Sequence, residues 1–388
     1  MIGRVQRIAC LFGLLVAVAC QPAPAAPSPT SAGQQVVVGS TGSSNTVPGV
    51  AAPAAVSPSP PSAGAVAAPR APLSPPVKVV MGVQRSTAEN GYYLAFERGY
   101  FLEEGIALEF ERFATAGDMI APLASSQLDV ASGGIGAGLF NAIVQGIPLR
   151  IVANHTLNPP EDRAAAWMVR TAIADRVKEA KDVKGLAVGL GAIGSTIEVE
   201  LDAILDQGGL TRADVETKNV SYADQVPAFA NGSMDLAFVF EPQLTRLEQE
   251  NLARVWKTAG EIIPNHETAV LLYGPGMTVD KPEAAKRFMV AHLRGVRDAQ
   301  RELADVATRN KDTIRLIAKY TNIPDLEVWE RLQLPSKNPD GYNNRPSIEH
   351  DLKYFVERGL VRNPPNLNEV IDQSYVDYAV GVLGRARP

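Results

Sequence analysis

Strands and helices alternate along most of the chain between residues 77 and 273, and this order constrains the fold more than any other feature. Val77 to Val83 is a β-branched run that is typical of a buried strand. An aromatic-rich segment at helical spacing follows at 92–104, and Gly105 suits the end of that helix. Apolar and polar residues then alternate at 106–111, which predicts a second strand. Such alternation predicts a mostly parallel α/β sheet covered by helices.

The pattern is interrupted at Pro159 and Pro160 and then begins again. Further strands are predicted in the second series and after it, at 166–170, 186–190, 216–221, 234–240 and 269–273. The chain is nearly all helical from Lys281 onward. This order predicts two βα lobes, one formed by 77–164 and 277–388 and the other by 165–276, with crossings near residues 160 and 276. A cleft between two lobes is the usual place for a small-molecule site.

The first twenty residues predict export from the cytoplasm. Arg4 and Arg7 precede an apolar run at 8–19, and small residues follow it. This run is about half the length of a membrane-spanning helix, which needs roughly 20 apolar residues. We therefore interpret residues 1–20 as a signal peptide rather than as an anchor helix.

Cys20 resembles the acylated cysteine of bacterial lipoproteins, although Ala17 stands where such sequences usually carry leucine. The alternative is ordinary cleavage near Ala26. Residues 21–76 are rich in proline, alanine and serine and hold almost no charge, so they predict a disordered linker. Together these features predict a protein that is lipid-anchored on the outer face of the cell membrane.

Composition excludes several classes of site and partner. Cys10 and Cys20 are the only cysteines, so the predicted folded part can form neither a disulfide nor a cysteine-ligated metal site. The net charge is -5 and there is no long basic run, which disfavours nucleic acid as a partner. The four histidines show no metal-ligand spacing and no pairing with a nucleophile, so neither a metal site nor a catalytic residue is predicted.

Two glycine-rich turns precede predicted helices. Residues 189–194 read GLGAIG and match the dinucleotide fingerprint, but a single match is weak and no cofactor is predicted. Ser195 and Thr196 open the next helix, whose free N–H groups suit a negative or hydrogen-bond-accepting group, although Ser195 would equally serve as a helix cap. Gly133 and Gly134 before Ile135 repeat this arrangement in the first lobe, where turn geometry is the alternative explanation.

Five segments together resemble one bacterial family, the SsuA/THI5-like solute-binding proteins of ABC importers. They are NGYYLAFERGYFLEEGIALEFE (90–111), APLASSQLDVASGG (121–134), QGIPLRIVAN (145–154), DVKGLAVGLGAIGST (182–196) and MDLAFVFEPQ (234–243). The resemblance implies a type II periplasmic-binding fold that closes on a small molecule and delivers it to a permease with its ATPase. It also implies a monomer. The THI5-like members of this family include enzymes that form a pyrimidine. An enzyme is therefore the alternative to a binding protein.

The residues predicted near the ligand are poor in cations and rich in aromatic rings, which favours a flat heterocycle. The GYY at 91–93 resembles the branch that binds riboflavin and thiamine-precursor pyrimidines, so a vitamin is the first expectation and a nitrate, sulfonate or taurine anion is the alternative. The alternative for Tyr93 is that its ring belongs to the apolar face of the first helix and packs in the core. The predicted ligand-binding residues are Glu89, Asn90, Tyr92, Tyr93, Gly134, Ile135, Asn154, Trp167, Ser195, Thr196, Tyr222 and Glu241.

Overall fold

Two five-stranded sheets form the framework of the protein, and the computed structural model describes residues 71–323 and 325–387. The predicted signal peptide, Cys20 and most of the predicted linker lie outside these described residues. The strands are β1 (Val77–Val83), β2 (Ile106–Arg112), β3 (Val130–Gly134), β4 (Arg150–Asn158), β5 (Ala165–Arg170), β6 (Ala187–Leu190), β7 (Glu216–Asn219), β8 (Leu236–Phe240), β9 (Ala253–Thr258) and β10 (His266–Tyr273). The helices are α1 (Asn90–Glu97), α2 (Tyr100–Glu103), α3 (Ile120–Ala124), α4 (Ala137–Val144), α5 (Thr196–Gln207), α6 (Gln225–Ala230), α7 (Gln243–Gln249), α8 (Ala259–Ile262), α9 (Pro282–Leu303), α10 (Lys311–Ala318), α11 (Leu326–Trp329), α12 (Arg345–Glu357), α13 (Leu367–Val370) and α14 (Ser374–Leu383).

The first sheet has the strand order β2-β1-β3-β10-β4 and is mixed. Strand β1 pairs in parallel with β2 and β3, whereas β10 pairs antiparallel with β3 and β4. Apolar side chains cover both faces, with α1 and α9 in one core and α4 and α12 in the other. Burial on both faces explains why β1 reads as a continuous β-branched run. We call this sheet with its helices lobe 1.

The second sheet has the order β7-β6-β8-β5-β9 and carries cores on both faces as well. Strand β6 is parallel to β7 and β8, whereas β5 is antiparallel to β8 and β9. We call this sheet with its helices lobe 2. In each lobe, therefore, four strands run in one direction and one strand, β10 in lobe 1 and β5 in lobe 2, runs against them, in agreement with the mostly parallel sheet predicted by the sequence.

The second crossing between the lobes lies earlier in the chain than predicted. Strand β10 hydrogen-bonds to β3 and β4 and therefore belongs to lobe 1. The chain leaves lobe 1 after Asn158 and returns to it before His266, so the predicted crossing at 276 is wrong. Sequence order places the strand at 269–273 with the strands that precede it, whereas its hydrogen bonds join it to the earlier strands β3 and β4.

The region after β10 is mainly helical, as expected. Helix α9 begins at Pro282, a residue that suits the first turn because its missing N–H is not needed there. Helix α12 contacts α4 of lobe 1 and α5 of lobe 2 and so touches both lobes. Within the described ranges, every helix is too short or too polar to cross a membrane.

Candidate functional site

Glycine-rich turns from the two lobes meet directly at the lobe boundary. Strand β3 leads into Gly136 and strand β6 leads into Gly194. The N–H of Ala137 donates to the carbonyl of Gly194 at 2.9 Å, and Gly136 pairs with Ser195 as an isolated antiparallel bridge. Ligands of open α/β sheets bind outside the carboxyl ends of the strands. This boundary is therefore the candidate site.

Glu241 forms a second contact between the lobes. Its Oε1 accepts hydrogen bonds from the Thr245 hydroxyl at 2.8 Å and from the N–H of Gln333 at 3.0 Å, and its Oε2 accepts from the N–H of Thr245 at 3.0 Å. Burial raises the pKa of this carboxyl, and the Thr245 and Gln333 hydrogen bonds lower it. Gln333 follows α11, so the predicted ligand residue Glu241 joins lobe 2 to the helical region after β10.

The carboxylate of Glu89 is likewise occupied by protein donors. Its Oε1 accepts from the N–H of Gln84 at 2.7 Å, and its Oε2 accepts from the N–H of Ser86 at 2.9 Å and the hydroxyl of Tyr93 at 2.8 Å. Burial raises the pKa of Glu89 against the effect of these hydrogen bonds. Glu89 thus fixes the turn before α1, and the next residue, Asn90, is buried with an Oδ1 that has no hydrogen-bond partner.

Tyr92 and Tyr93, predicted to stack on a ligand, are interior residues of lobe 1. The Tyr92 ring stacks on His292 with centroids 4.4 Å apart and on His155 with centroids 5.5 Å apart, and its hydroxyl lies 3.2 Å from His155 Nδ1. Tyr93 stacks on Tyr320 at 4.9 Å. Neither tyrosine is more than 1% exposed. The structure corrects the expected stacking, since protein rings pack on both tyrosines.

Trp167 is also corrected from a ligand-stacking residue to a core residue. It is fully buried on β5, and its ring meets Phe238 edge-on with centroids 5.7 Å apart. Its indole N–H donates to Glu200 Oε2 at 2.9 Å. The hydrogen bond satisfies the polar group of a tryptophan that is otherwise surrounded by apolar side chains.

Lobe 2 presents exposed apolar side chains beyond the ends of three neighbouring strands. Tyr222 follows β7 and Phe240 ends β8, and their rings meet edge-on at 5.3 Å. Their exposed fractions are 37% and 36%, and Ile193, in the loop after β6, is 70% exposed. We call Ile193, Tyr222 and Phe240 the apolar lip. Unlike Tyr92, Tyr93 and Trp167, Tyr222 therefore keeps an accessible ring, and so does Phe240.

Each glycine of the GxGxxG stretch has a structural reason that needs no dinucleotide. A Cβ at Gly189 would lie 2.1 Å from the Met234 sulfur, and one at Gly191 would lie 2.2 Å from the Tyr222 ring. Gly194 has a φ of 68°, a conformation that side chains disfavour. The glycines pack β6 on its neighbours and turn the chain into α5.

The side chains at the start of α5 are used locally. Ser195 Oγ donates to the carbonyl of Ala192 at 2.9 Å, and Thr196 is buried. The N–H of Gly194 donates to Glu198 Oε2 at 2.5 Å, so a carboxylate of the helix already lies at its own N-terminus. A negative ligand group placed there would be repelled by Glu198, which weakens the expected anion contact at Ser195.

The predicted residues Gly134 and Ile135 stay close to the boundary but differ in exposure. Gly134 is exposed at the end of β3 and pairs with Ala269 of β10. Ile135 is 2% exposed in a hydrophobic core of lobe 1, and its N–H donates to the carbonyl of Thr268 at 2.9 Å. The backbone of Gly134 is therefore accessible, whereas the side chain of Ile135 packs in the core of lobe 1 beneath the turn.

Asn154 connects β4 to a later segment of the chain. Its Oδ1 accepts from the N–H of Asn338 at 2.9 Å, and its N–H donates to the carbonyl of Gly341 at 2.9 Å. Asn154 is buried, so these bonds hold the segment at 338–341 against the middle of β4.

Directly before that segment lies Lys337, a residue that the sequence did not single out. Lys337 is 7% exposed, and its Nζ is buried without a hydrogen-bond partner. Burial lowers the pKa of Lys337 to about 8, although the charges of Asp162 and Glu89 oppose this shift. Its sequence context, LPSKNP, has no periodicity that would predict burial.

The family model described as NMT1/THI5 like matches residues 86–302, which is more than half of the chain. The chain belongs to the NMT1/THI5-like family. This result confirms the family predicted from the five segments. A curated relative, the taurine-binding periplasmic protein of Escherichia coli strain K12, is 23% identical over 261 residues, which cover 65% of this chain and 75% of the relative.

Solved structures show that this NMT1/THI5-like protein has the predicted periplasmic-binding fold. The aliphatic sulphonate binding protein SsuA from Escherichia coli aligns with a TM-score of 0.61 and 20% identity, over 77% of this chain and 92% of that one. The nitrate-binding protein NrtA from Synechocystis PCC 6803 aligns with a TM-score of 0.61 and 14% identity, over 81% and 90%. The ligand binding component of an ABC-type import system from Staphylococcus aureus gives 0.62 and 15%, over 78% and 99%.

In this NMT1/THI5-like protein the predicted site residues therefore separate into two groups. Gly134, Ser195 and Tyr222 lie at the end of a strand or in the loop that follows one, and Asn90 begins the helix after β1. The rings of Tyr92, Tyr93 and Trp167 instead pack inside the lobes. The glycine turns, helix starts and strand ends of the sequence pointed to the first group, but they could not tell which face of a helix or strand the second group occupies.

Proposed function

We propose that this protein is the substrate-binding component of an ABC importer, which captures a small solute between its two lobes and delivers it to a membrane permease and its ATPase. The observation that carries the proposal is the meeting of the two glycine-rich turns at Gly136 and Ser195, in a chain of the NMT1/THI5-like family. A solute that touches both turns would bind the closed arrangement of the lobes more tightly than an open one.

Two classes of solute are supported by different observations. The accessible rings of Tyr222 and Phe240 suit a flat heterocycle such as riboflavin or a thiamine-precursor pyrimidine. The relatives, a taurine-binding, a sulphonate-binding and a nitrate-binding protein, favour a small anion instead. The unpaired ammonium of Lys337 supports this second class.

Binding measurements with the exported full-length protein test the proposal. Isothermal titration calorimetry would compare riboflavin, the thiamine-precursor pyrimidine, taurine, an alkanesulfonate and nitrate, with mass spectrometry of the solute after incubation. We expect saturable one-to-one binding of at least one solute and its recovery unchanged. A folded protein that binds none of these solutes contradicts the proposal, and chemical conversion of a solute favours the enzyme alternative.

The proposed membrane anchor has its own test. We expect Cys20→Ala to release the protein from the membrane fraction, because the acylated side chain would be lost, whereas Cys10→Ala within the apolar run should leave it bound. Fractionation and mass spectrometry of the mature N-terminus report the result. An unacylated N-terminus at or after Ala26 would show ordinary cleavage and contradict the lipid anchor.

A further inference from the structure

A cavity of about 410 Å³ lies in lobe 1 between the end of α4, the start of β4 and the segment around α13, and we call it the α4–α13 cavity. Strand β4 runs parallel to β3, because β10 pairs antiparallel with both, so the start of β4 lies at the edge of the sheet opposite Gly134. Helix α4 runs from Ala137 at the lobe boundary to Val144 at the cavity, which is roughly 12 Å at about 1.5 Å per residue. The cavity is therefore separate from the candidate site.

Apolar side chains form much of the wall of the α4–α13 cavity. They are Ile143, Val144, Ile147, Pro148, Pro365 and Val370. Val144 is 39% exposed and Val370 only 2%, so the wall extends from a rim that is open to solvent to a buried floor. Small-molecule sites typically enclose roughly 300–1,000 Å³ and combine apolar walls with a few polar groups. The size and the wall of this cavity suit a small ligand with a compact apolar part.

Arg150 brings a positive charge to this cavity. Its Nη1 donates to the carbonyl of the preceding residue, Leu149, at 3.2 Å, and among the described residues no carboxylate lies within 4 Å of its guanidinium. A guanidinium has five N–H donors, so most of those of Arg150 remain free. Because this side chain is half-buried beside apolar residues, it gains more from an incoming carboxylate than a fully exposed arginine would.

Glu369 brings a carboxylate to the same cavity from the first turn of α13. Asn366 caps that helix through Oδ1, and its Nδ2 donates to Glu369 Oε1 at 2.9 Å. This bond holds the carboxylate in place, while Oε2 stays available to a donor. In the part of the chain that the structure describes, no cation lies within 4 Å of Glu369, Arg150 included. Two opposite charges therefore line one cavity without pairing directly.

Backbone contacts keep these two charged residues near each other. Ile151 and Ile371 form an isolated parallel bridge, and the N–H of Asp372 donates to the carbonyl of Ile151 at 2.9 Å. Arg150 directly precedes Ile151, and Glu369 lies two residues before Ile371. Their separation is thus set by the pairing of the two backbone segments and not by an ion pair between the side chains.

We propose that the α4–α13 cavity is a second small-molecule site and that it binds an apolar α-amino acid. The carboxylate of the amino acid pairs with the Arg150 guanidinium, its ammonium pairs with Glu369 Oε2, and its side chain contacts the apolar wall. An arginine and a carboxylate form two parallel N–H···O bonds, which fix orientation as well as adding affinity. A zwitterion satisfies both protein charges, whereas a simple acid or a simple amine satisfies one. This site is independent of the solute bound at the lobe boundary.

Ligands that lack one charge test the pairing without altering the protein. Titration calorimetry of the exported full-length protein would compare L-leucine with isocaproate, which is leucine without its ammonium group, and with isoamylamine, which is leucine without its carboxylate. L-Phenylalanine, hydrocinnamate and phenethylamine repeat the comparison with a larger side chain. We expect at least one of the two amino acids to bind saturably. Each of its two analogues should bind about ten- to a hundredfold more weakly, because one charge-assisted contact is lost.

Substitutions test where the amino acid binds. Arg150→Met and Glu369→Gln each remove one of the two charges and should weaken the amino acid by about ten- to a hundredfold. Arg254→Met, at an exposed arginine of β9, is the control for the first variant. Glu327→Gln is the control for the second, because Glu327 lies in the first turn of α11 as Glu369 does in that of α13. Both control variants should bind like the wild type.

Three results would overturn the inference. The first is equal affinity for the amino acid and its analogue without the ammonium group, or equal affinity of the wild type and Arg150→Met for the amino acid. The second is a folded wild-type protein that binds neither amino acid at millimolar concentrations. The third is loss of amino acid binding in Tyr222→Ala but not in Arg150→Met, which would place the ligand at the lobe boundary and support the transport proposal instead.

Discussion

Individual side chains at the lobe boundary differ in whether they still have hydrogen-bonding capacity for a ligand. Glu89 and Glu241 are buried carboxylates whose oxygens accept from backbone N–H and hydroxyl donors of the protein. They organise a turn and an interlobe contact. Lys337 Nζ and Asn90 Oδ1 lack partners, and such groups gain most from a ligand because an unmade buried hydrogen bond is costly.

The apolar lip allows a prediction at this scale. We expect Tyr222→Ala to weaken solute binding by about two- to tenfold, because a ring that contacts the ligand contributes roughly 0.5–1.5 kcal/mol beyond simple burial. Titration calorimetry with the solute found to bind would measure the change. The thermal midpoint should move little, since Tyr222 is 37% exposed.

Leu360→Ala provides the control for the tyrosine, because Leu360 has the same exposed fraction of 37% and lies after α12, away from the lip. A further variant, Gly191→Ala, places a methyl group about 2.2 Å from the Tyr222 ring and should displace it. Equal affinity in Tyr222→Ala and Leu360→Ala would show that the lip takes no part in binding.

The sequence predicted where these residues lie along the strands and helices better than it predicted which side chains pack around them. Tyr92 and Tyr222 both lie near strand ends, so both were expected to meet the ligand. Contacts far apart in sequence decide otherwise: Tyr92 is covered by His292, 200 residues away on α9, whereas Tyr222 stays 37% exposed beside Phe240. Lys337 was missed for the same reason, since its burial depends on β4 and on Asp162.

Three elements meet at a buried charged cluster, and this is the strongest feature at the scale of helices and strands. His266, the first residue of β10, places Nδ1 2.9 Å from Glu200 Oε1 of α5 and Nε2 3.1 Å from Asp351 Oδ1 of α12. All three side chains are fully buried. Burial lowers the pKa of His266, but hydrogen bonds and charges of Asp351 and Glu200 raise it to about 10. The charged imidazolium thus joins α5 of lobe 2 to α12 beside lobe 1.

We expect His266→Gln to lower the free energy of unfolding by roughly 3–5 kcal/mol at pH 7, because two buried carboxylates lose their counterion. The folded pKa of about 10 lies above the ordinary 6.5, so the stabilisation is complete below pH 6.5 and is lost as the pH rises through 10. Urea denaturation of wild type and variant at pH 7 and 10.5 measures this difference.

His350→Gln is the matched control, because His350 also contacts Asp351, at 3.3 Å, but its side chain is 56% exposed. It should change the stability by no more than about 0.5 kcal/mol. Burial raises the pKa of Glu267, next to His266, to about 7, so this carboxyl also changes the stability of both proteins with pH. The comparison therefore uses the difference in the free energy of unfolding between variant and wild type at each pH. A difference that is equal at pH 7 and 10.5 would contradict a charged His266.

Element order was largely predictable, but pairing was not. The single helix expected at 92–104 is divided into α1 and α2, because Gly99 adopts a φ of 73° between them. Strand β10 was predicted but assigned to the wrong lobe. Local periodicity shows that a segment is a strand, whereas its partners depend on the hydrogen bonds of the whole sheet.

At the scale of the whole molecule, the direct contact between the lobes depends on a glycine with little space around it. A Cβ at Gly136 would lie 2.8 Å from the carbonyl oxygen of Gly194, the same oxygen that accepts from the N–H of Ala137. The φ of Gly136 is -176°, which any residue adopts. The requirement for glycine is therefore the close approach of lobe 2 and not the backbone conformation.

A methyl group at this position should prevent the two lobes from approaching as closely as they do in the wild type. We expect Gly136→Ala to weaken solute binding by about tenfold, because a solute that contacts both lobes binds tightly only when they approach each other. Small-angle X-ray scattering with saturating solute should show a larger radius of gyration than for the wild type. The thermal midpoint without solute should change little, since each lobe keeps its own cores.

The control lies two residues away in the same turn and helix. A Cβ at Gly138 would have no atom within 4 Å, so Gly138→Ala adds a methyl group to α4 without touching lobe 2. It should leave the affinity and the scattering profile unchanged and stabilise the helix by up to about 1 kcal/mol. If Gly136→Ala binds the solute as tightly as Gly138→Ala, the contact between the two turns is not required for binding, and the solute must be held by one lobe alone.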